Sequence, residues 1–345
     1  MNQVTINLDA DVEDTFLKNE GAWMTKIVDS AHKHDTVKIS LSEGVAIEDL
    51  GYKGKNFLQI LTEVCQENDW PLSKFSFFTV NLTQDRNVWP KIRMTHSTQH
   101  LLSLQDYTIT EQKRIAKKFG MFIGRSSWER LLLASHLFTR HKDSSIMTYR
   151  SHLDRPESML NIDIDRLMWH LSSSRQIDKS SIDDLSKLIS ALPLLQSETQ
   201  NDDTHLQWNT GATNTEIMSW YDSIFCDVVC EKTITGKTFF PTEKISRPLV
   251  SKTPFLIMAA PDYIKNLHRL GFRSFGEFWD ESYDHQQGVQ RVLSMKKIID
   301  DLAKLPINEL DAMYKHMLPV LEHNYKTYKE LTVAKLGDTF NLDVQ

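Results

Sequence analysis

The chain has 345 residues, 40% of them hydrophobic and 25% charged, which is the profile of a folded protein long enough for two ordinary domains. A formal net charge of -6 gives no global electrostatic footprint for nucleic acid, so no nucleic-acid partner is expected, although a local basic groove is compatible with it. No apolar run approaches the ~18 residues of a membrane span, the opening MNQVTINLDADVEDTF lacks the pattern of a secretory signal, and Cys65, Cys226 and Cys230 are too few and scattered for a disulfide framework, so a reducing, cytoplasmic setting is expected.

In chain order, VKISLS (37–42) alternates and is β-branched, predicting a strand. KNFLQILTEVCQEND (55–69) carries apolar residues at 57, 58, 60, 61 and 64, a helical stripe. KFSFFTVNL (74–82) reads as a strand and EQKRIAKKF (111–119) as a helix. A short apolar strand then ends at Gly124, and Ser126 or Ser127 caps a helix carrying Arg130, Leu131, Leu133, Ala134 and Leu137. With the strand SIMTYR (145–150) this completes a βαβ unit. A helix over 180–195, a polar loop over 196–214, a helix over 216–225 and a strand over 226–231 follow. Residues 254–260 read as a buried strand and PDYIKNLHRLG (261–271) as a helix closed by Gly271. Two long helices, 289–305 and 307–333, end the chain. Alternating strands and helices favour an α/β fold with parallel sheets, which bind ligands at the carboxyl ends of their strands.

Two charged turns fall at such ends. At Thr242 a turn opening a helix offers free N–H groups and a partial positive charge, suited to phosphate. Lys244 adds a full charge, Glu243 has the acceptors for a ribose diol, and Arg247 is a further phosphate donor. Pro248 complicates a helix running from Thr242, so the regular helix is expected to restart at Ser246. Spacing alone favours an ordinary surface helix with solvated Glu and Lys. Arg125, between an apolar strand and a capped helix, suits a pyrophosphate or a neighbouring carboxylate equally.

Together, FGMFIGRSSWERLLL and, about a hundred residues later, VVCEKTITGKTFFPTEKISRPLVSKTPFLIMAAPDYIKNLHRLGFRSFGEFWDESYD resemble the C-terminal donor domain of GT-B glycosyltransferases. The resemblance spans roughly residues 118–285 and is closest to fucosyltransferase-like enzymes and their viral and bacterial relatives. It implies that the Thr242 turn holds a nucleotide, with Glu243 on the ribose hydroxyls and Lys244 and Arg125 on the diphosphate. Arg247 matches the viral and bacterial pattern. The implied fold is α/β of the GT-B kind: two Rossmann-like domains with parallel sheets facing a cleft, and a helical C-terminus. The domains would be an acceptor-side unit (1–110), a nucleotide-sugar-binding unit (111–300) and terminal helices (301–345) packing back on the first unit.

The implied activity is transfer of a sugar from a UDP- or GDP-type nucleotide sugar to a glycan hydroxyl, inverting and independent of metal, with no further cofactor. Cations at the departing diphosphate stabilise the transition state more than the ground state. An inverting reaction needs a carboxylate base. Glu43, just after the strand 37–42, and Asp85, after the strand 74–82, are the candidates, each also readable as an ordinary loop acid. Glu231, ending CDVVCE, either faces the donor or serves a cap or ion pair.

Competing signals are weaker. Asp163 and Asp165 have a D-x-D spacing but in a helix-prone context. Cys226 and Cys230 lack the second pair that zinc needs, and His96, His100 and the histidines of SHLFTRH are dispersed, with core or solvated roles expected. A non-catalytic sugar-nucleotide or glycan-binding protein, and a nucleic-acid base glycosyltransferase, are the alternatives on the same fold.

Overall fold

The computed structural model describes residues 2–8, 22–41, 51–52, 55–83, 92–109, 113–123, 127–149, 177–192, 194 and 217–343. The first unit runs β1 (Gln3–Asn7), α1 (Ala22–Lys33), β2 (Thr36–Leu41), a small hairpin of β3 (Gly51–Tyr52) and β4 (Lys55–Asn56), α2 (Phe57–Glu67), β5 (Phe75–Thr79) and β6 (Arg93–His96). Its four-stranded sheet is parallel, in the order β1-β2-β5-β6. Ile6, Ile39, Phe77 and Met94 stand in one row across it. That face is closed by Ile27 and Ala31 of α1 and Phe57, Ile60, Leu61 and Cys65 of α2. Helix α2 begins where it does because Asn56 and Gln59 form a reciprocal capping box.

The second unit adds α3 (Gln99–Leu102), β7 (Lys117–Ile123), α4 (Trp128–His141), β8 (Ser145–Tyr149), α5 (Lys179–Ala191), β9 (Ile224–Cys230), α6 (Glu243–Val250), β10 (Phe255–Met258) and α7 (Tyr263–Arg269). Helices α8 (Gly288–Lys304), α9 (Ile307–Lys329) and α10 (Val333–Phe340) follow. The sheet is again parallel, in the order β10-β9-β7-β8. Every residue of β9 and β10 is buried, as a parallel sheet covered on both faces requires. The chain goes from β7 outward to β8, then returns to β9 on the other side and on to β10. The strand order therefore reverses between β7 and β9. The fold is thus mixed α/β with two parallel sheets, Rossmann-like in each unit, and a helical C-terminus. Among the described residues no helix is long and apolar enough to cross a membrane.

Several elements depart from the sequence expectations. Of the helix expected over 111–119, residues 113–116 are irregular and β7 starts at Lys117. Pairing of Lys117 with Ile224 and of Phe119 with Cys226 overrides the local helix preference. Of the helix expected over 216–225, residues 217–220 are helical, 221–223 form a turn, and β9 starts at Ile224. Helix α6 does not restart at Ser246; it runs unbroken from Glu243 with Pro248 inside it. Gly271 closes the segment after α7 at φ +92, a backbone that glycine adopts without strain.

Gly120 lies where β7 meets β9. A Cβ there would stand 2.5 Å from Ile224 Cδ1 and 3.1 Å from the Phe122 ring. Ile224 is fully buried and has little room to yield. Gly120→Ala is expected to destabilise the chain by about 1–3 kcal/mol, read from the urea midpoint; an unchanged midpoint would mean that the strand pair has slack.

The two units meet at the carboxyl end of β5. Leu82 N donates to Phe239 O at 2.8 Å, and Phe239 N donates to Asn81 Oδ1 at 2.9 Å. Asn81 Nδ2 donates to Lys237 O at 3.1 Å. Behind this seam, Tyr328 Oη of α9 donates to Leu101 O at 2.9 Å and accepts from Leu104 N at 3.1 Å. The last described residues reach β6, where His96 N donates to Asp343 O at 2.8 Å.

Candidate functional site

Ligands in open parallel sheets sit outside the strand carboxyl ends at the point where strand order reverses. Here that point lies beyond Ile123 of β7 and Cys230 of β9. The helices after these strands begin at the same edge. Ser127 caps α4 by accepting from Arg130 N at 3.3 Å. Thr242 caps α6 by accepting from Lys244 N at 3.2 Å. The amino end of a helix carries partial positive charge.

Glu231 joins the two ends. It is 1% exposed. Its carboxylate accepts from Thr242 N at 2.9 Å, Thr242 Oγ1 at 2.6 Å and Tyr263 Oη at 3.0 Å. The Arg130 guanidinium, in the first turn of α4, donates to Glu231 O. The sequence left Glu231 either facing a ligand or capping; sealed from solvent with three donors, it holds the turn and does not face outward. Tyr263 and Arg130 are the residues that sequence reasoning missed here, because their partner lies 32 and 101 positions away.

Glu243 and Lys244 lie at the lip of this turn, with side chains 19% and 16% exposed. Lys244 Nζ donates to Glu243 Oε1 at 2.9 Å and to Thr242 Oγ1 at 3.2 Å. Arg247, one turn on, is 8% exposed. It lies too deep to be the open phosphate donor that its spacing suggested, and its charge acts on two carboxylates, Glu243 and Asp227. Asp227, mid-strand in β9, accepts from Tyr221 Oη at 2.5 Å, and burial raises it to about 7 despite that bond and the charges of Arg247 and Lys113. A lone Asp inside the apolar run CDVVC was the available signal for this buried network.

Burial alone would raise the Glu243 carboxyl, but the charges of Lys244 and Arg247 outweigh it and take it from 4.5 to about 2. A carboxyl held lower in the folded chain contributes stability that is complete above its ordinary value and is lost as pH falls from 4.5 toward 2. The acid unfolding profile of Glu243→Gln is therefore expected to be shallower in that window than that of the unaltered chain. Superimposable profiles would remove the linkage.

Arg125, Glu43 and Asp85 lie outside the described residues, as do Asp163 and Asp165. By position, Arg125 follows β7 at the reversal point, two residues after Ile123, and Glu43 follows the carboxyl end of β2 at Leu41. Cys226 and Cys230 are buried free thiols of the core, and burial pushes Cys230 up to about 12. His100 packs its ring edge-on to Phe240 at 5.4 Å, near the turn. No family model matches the chain, and no curated protein matches it. The site thus consists of two capped helix ends held by one buried residue, Glu231, through its carboxylate on α6 and its backbone carbonyl on α4, with Lys244 and the ionised Glu243 at the rim.

Proposed function

We propose that the chain is a GT-B-type glycosyltransferase that moves a sugar from a nucleoside-diphosphate sugar to a glycan hydroxyl, with inversion and with side chains and helix ends serving the leaving group. The observation that carries this is the pair of helix amino ends, α4 and α6, converging where strand order reverses, with Lys244 and Glu243 beside them. Such ends favour a diphosphate, whose negative charge grows as the glycosidic bond breaks.

In this reading Glu243 accepts from the ribose diol and Lys244 turns from Glu243 to the diphosphate. Arg125, two residues beyond β7 in the sequence, supplies the second cation. Arg247 stays behind the turn and keeps Glu243 ionised; Thr242 and Glu231 fix the turn. In this reading the base that takes the acceptor's proton is Glu43 or Asp85, which follow β2 and β5 in the sequence, and the β5 seam brings Asn81 and Leu82 against Lys237 and Phe239. The acceptor therefore approaches from the first unit.

A thermal-shift screen against UDP, GDP, dTDP and CDP tests the reading. One diphosphate is expected to raise the melting temperature, by an amount that grows with the logarithm of its concentration over its Kd. No shift with any of the four would count heavily against a nucleotide site. A shift with no turnover of the matching nucleotide sugar in the presence of glycan acceptors would identify a binding protein instead.

A further inference from the structure

We propose that His136, His141 and Asp300 form a site for one divalent metal ion of the zinc class, clipping the carboxyl end of α4 to α8. His136 Nε2 and His141 Nε2 each lie 2.8 Å from the same atom, Asp300 Oδ1. The three ligand atoms all fall within 4.8 Å of one another. Zinc bonds of ~2.0–2.2 Å at tetrahedral angles separate ligand atoms by roughly 3.3–3.5 Å, so an ion enters with an outward shift of about half an ångström. Two imidazoles and a carboxylate leave one position open for water, and they suit zinc better than calcium or magnesium.

The surroundings fit such an ion. The His136 side chain is 6% exposed and that of His141 15%, whereas the Asp300 side chain is 41% exposed and leaves a path from solvent. A positive charge acts on the cluster from Lys296, which is buried; its Nζ donates to Ser181 Oγ at 3.1 Å, and the charges of Asp178 and Asp184 act on it. A second cluster, Asp262, Asp284 and His285, is a poorer candidate. The Asp284 carboxylate already accepts from Ile264 N, Lys265 N and Arg291 Nη2.

The site is remote from the donor turn. Helix α4 has 14 residues, with Ser127 at its capped end and His141 at the other; at 1.5 Å per residue the separation is ~20 Å. The ion thus braces the fold without taking part in transfer, and its presence is independent of the proposed activity.

Untagged full-length chain, stripped with chelator, is titrated with Zn2+ by calorimetry and with Co2+ by visible absorption, and melted with and without Zn2+. One ion per chain, a higher melting temperature and the intense absorption of tetrahedral Co2+ are expected. His141→Ala and Asp300→Ala should each weaken uptake at least about 10- to 100-fold, and His285→Ala should leave it unchanged. Both replaced side chains reach solvent, and circular dichroism confirms folding. Absence of uptake, or equal uptake by the unaltered chain and His141→Ala, overturns the site. If the variants melt lower while Zn2+ does nothing to the unaltered chain, the cluster is a hydrogen-bonded network and the proposal fails.

Discussion

Lys244→Ala is expected to lower kcat/KM for sugar transfer by about 10²–10³-fold, the scale seen when one preorganised donor to a developing anion is removed. It should also abolish most of the melting-temperature rise given by the matching nucleoside diphosphate. Lys244 is a part-buried cation in the first turn of α6, beside a capped helix end. Its charge counts most when the diphosphate departs, so kcat should fall more than substrate affinity. One confounding effect is built into the site. Lys244 helps to hold Glu243 at about 2, so its loss leaves only Arg247 and the backbone N–H of Glu243 to oppose burial. Lys244→Ala combined with Glu243→Gln separates the two: if charge on the diphosphate is what matters, the double variant stays as slow as the single one. Unaltered affinity and rate in Lys244→Ala would remove the donor site from this turn.

Arg291→Met is expected to destabilise the fold by about 3–5 kcal/mol, the range for leaving one partner of a buried ion pair alone. Arg291 is fully buried. Its guanidinium donates to Ile257 O at 3.0 Å and Asp284 O at 3.1 Å, and pairs with Asp284 Oδ1 at 3.4 Å. The same Asp284 carboxylate accepts from Ile264 N at 3.1 Å and Lys265 N at 3.3 Å, capping α7. One arginine therefore supports the end of β10, the 3-10 turn after it and the start of α7. Lysine lacks the planar fork that reaches these acceptors together, so Arg291→Lys should recover little. Urea unfolding measures both, and a loss under about 0.5 kcal/mol, the scale of ordinary surface changes, would show that the network is redundant.

What the sequence disclosed followed pattern strength. β2, β5, β9 and β10 were legible because alternation or a continuous apolar run marks a strand locally. α2 was legible from its stripe and α4 from its serine cap. β1 and β6 were missed because five and four residues carry too little periodicity. The 111–119 segment misled because lysines and an alanine suit helices, while its partners in β9 lie more than a hundred positions away. The turn at Thr242 was legible as a capped helix start. Its anchoring by Glu231, 11 residues earlier, was legible only as an alternative. The meeting of His136 and His141 with Asp300 spans 164 and 159 positions, and only the packing of α8 on α4 reveals it.

The seam joining Asn81 and Leu82 to Phe239 lies three residues ahead of Thr242. If the first unit takes the acceptor and the Thr242 turn the donor, as proposed, the seam would act as a lever: a displacement of β5 by an arriving acceptor would pass along a few peptide units to that turn. The expected kinetic trace of such a lever is a compulsory order of substrate addition. Random order in steady-state inhibition patterns would show that the halves respond separately.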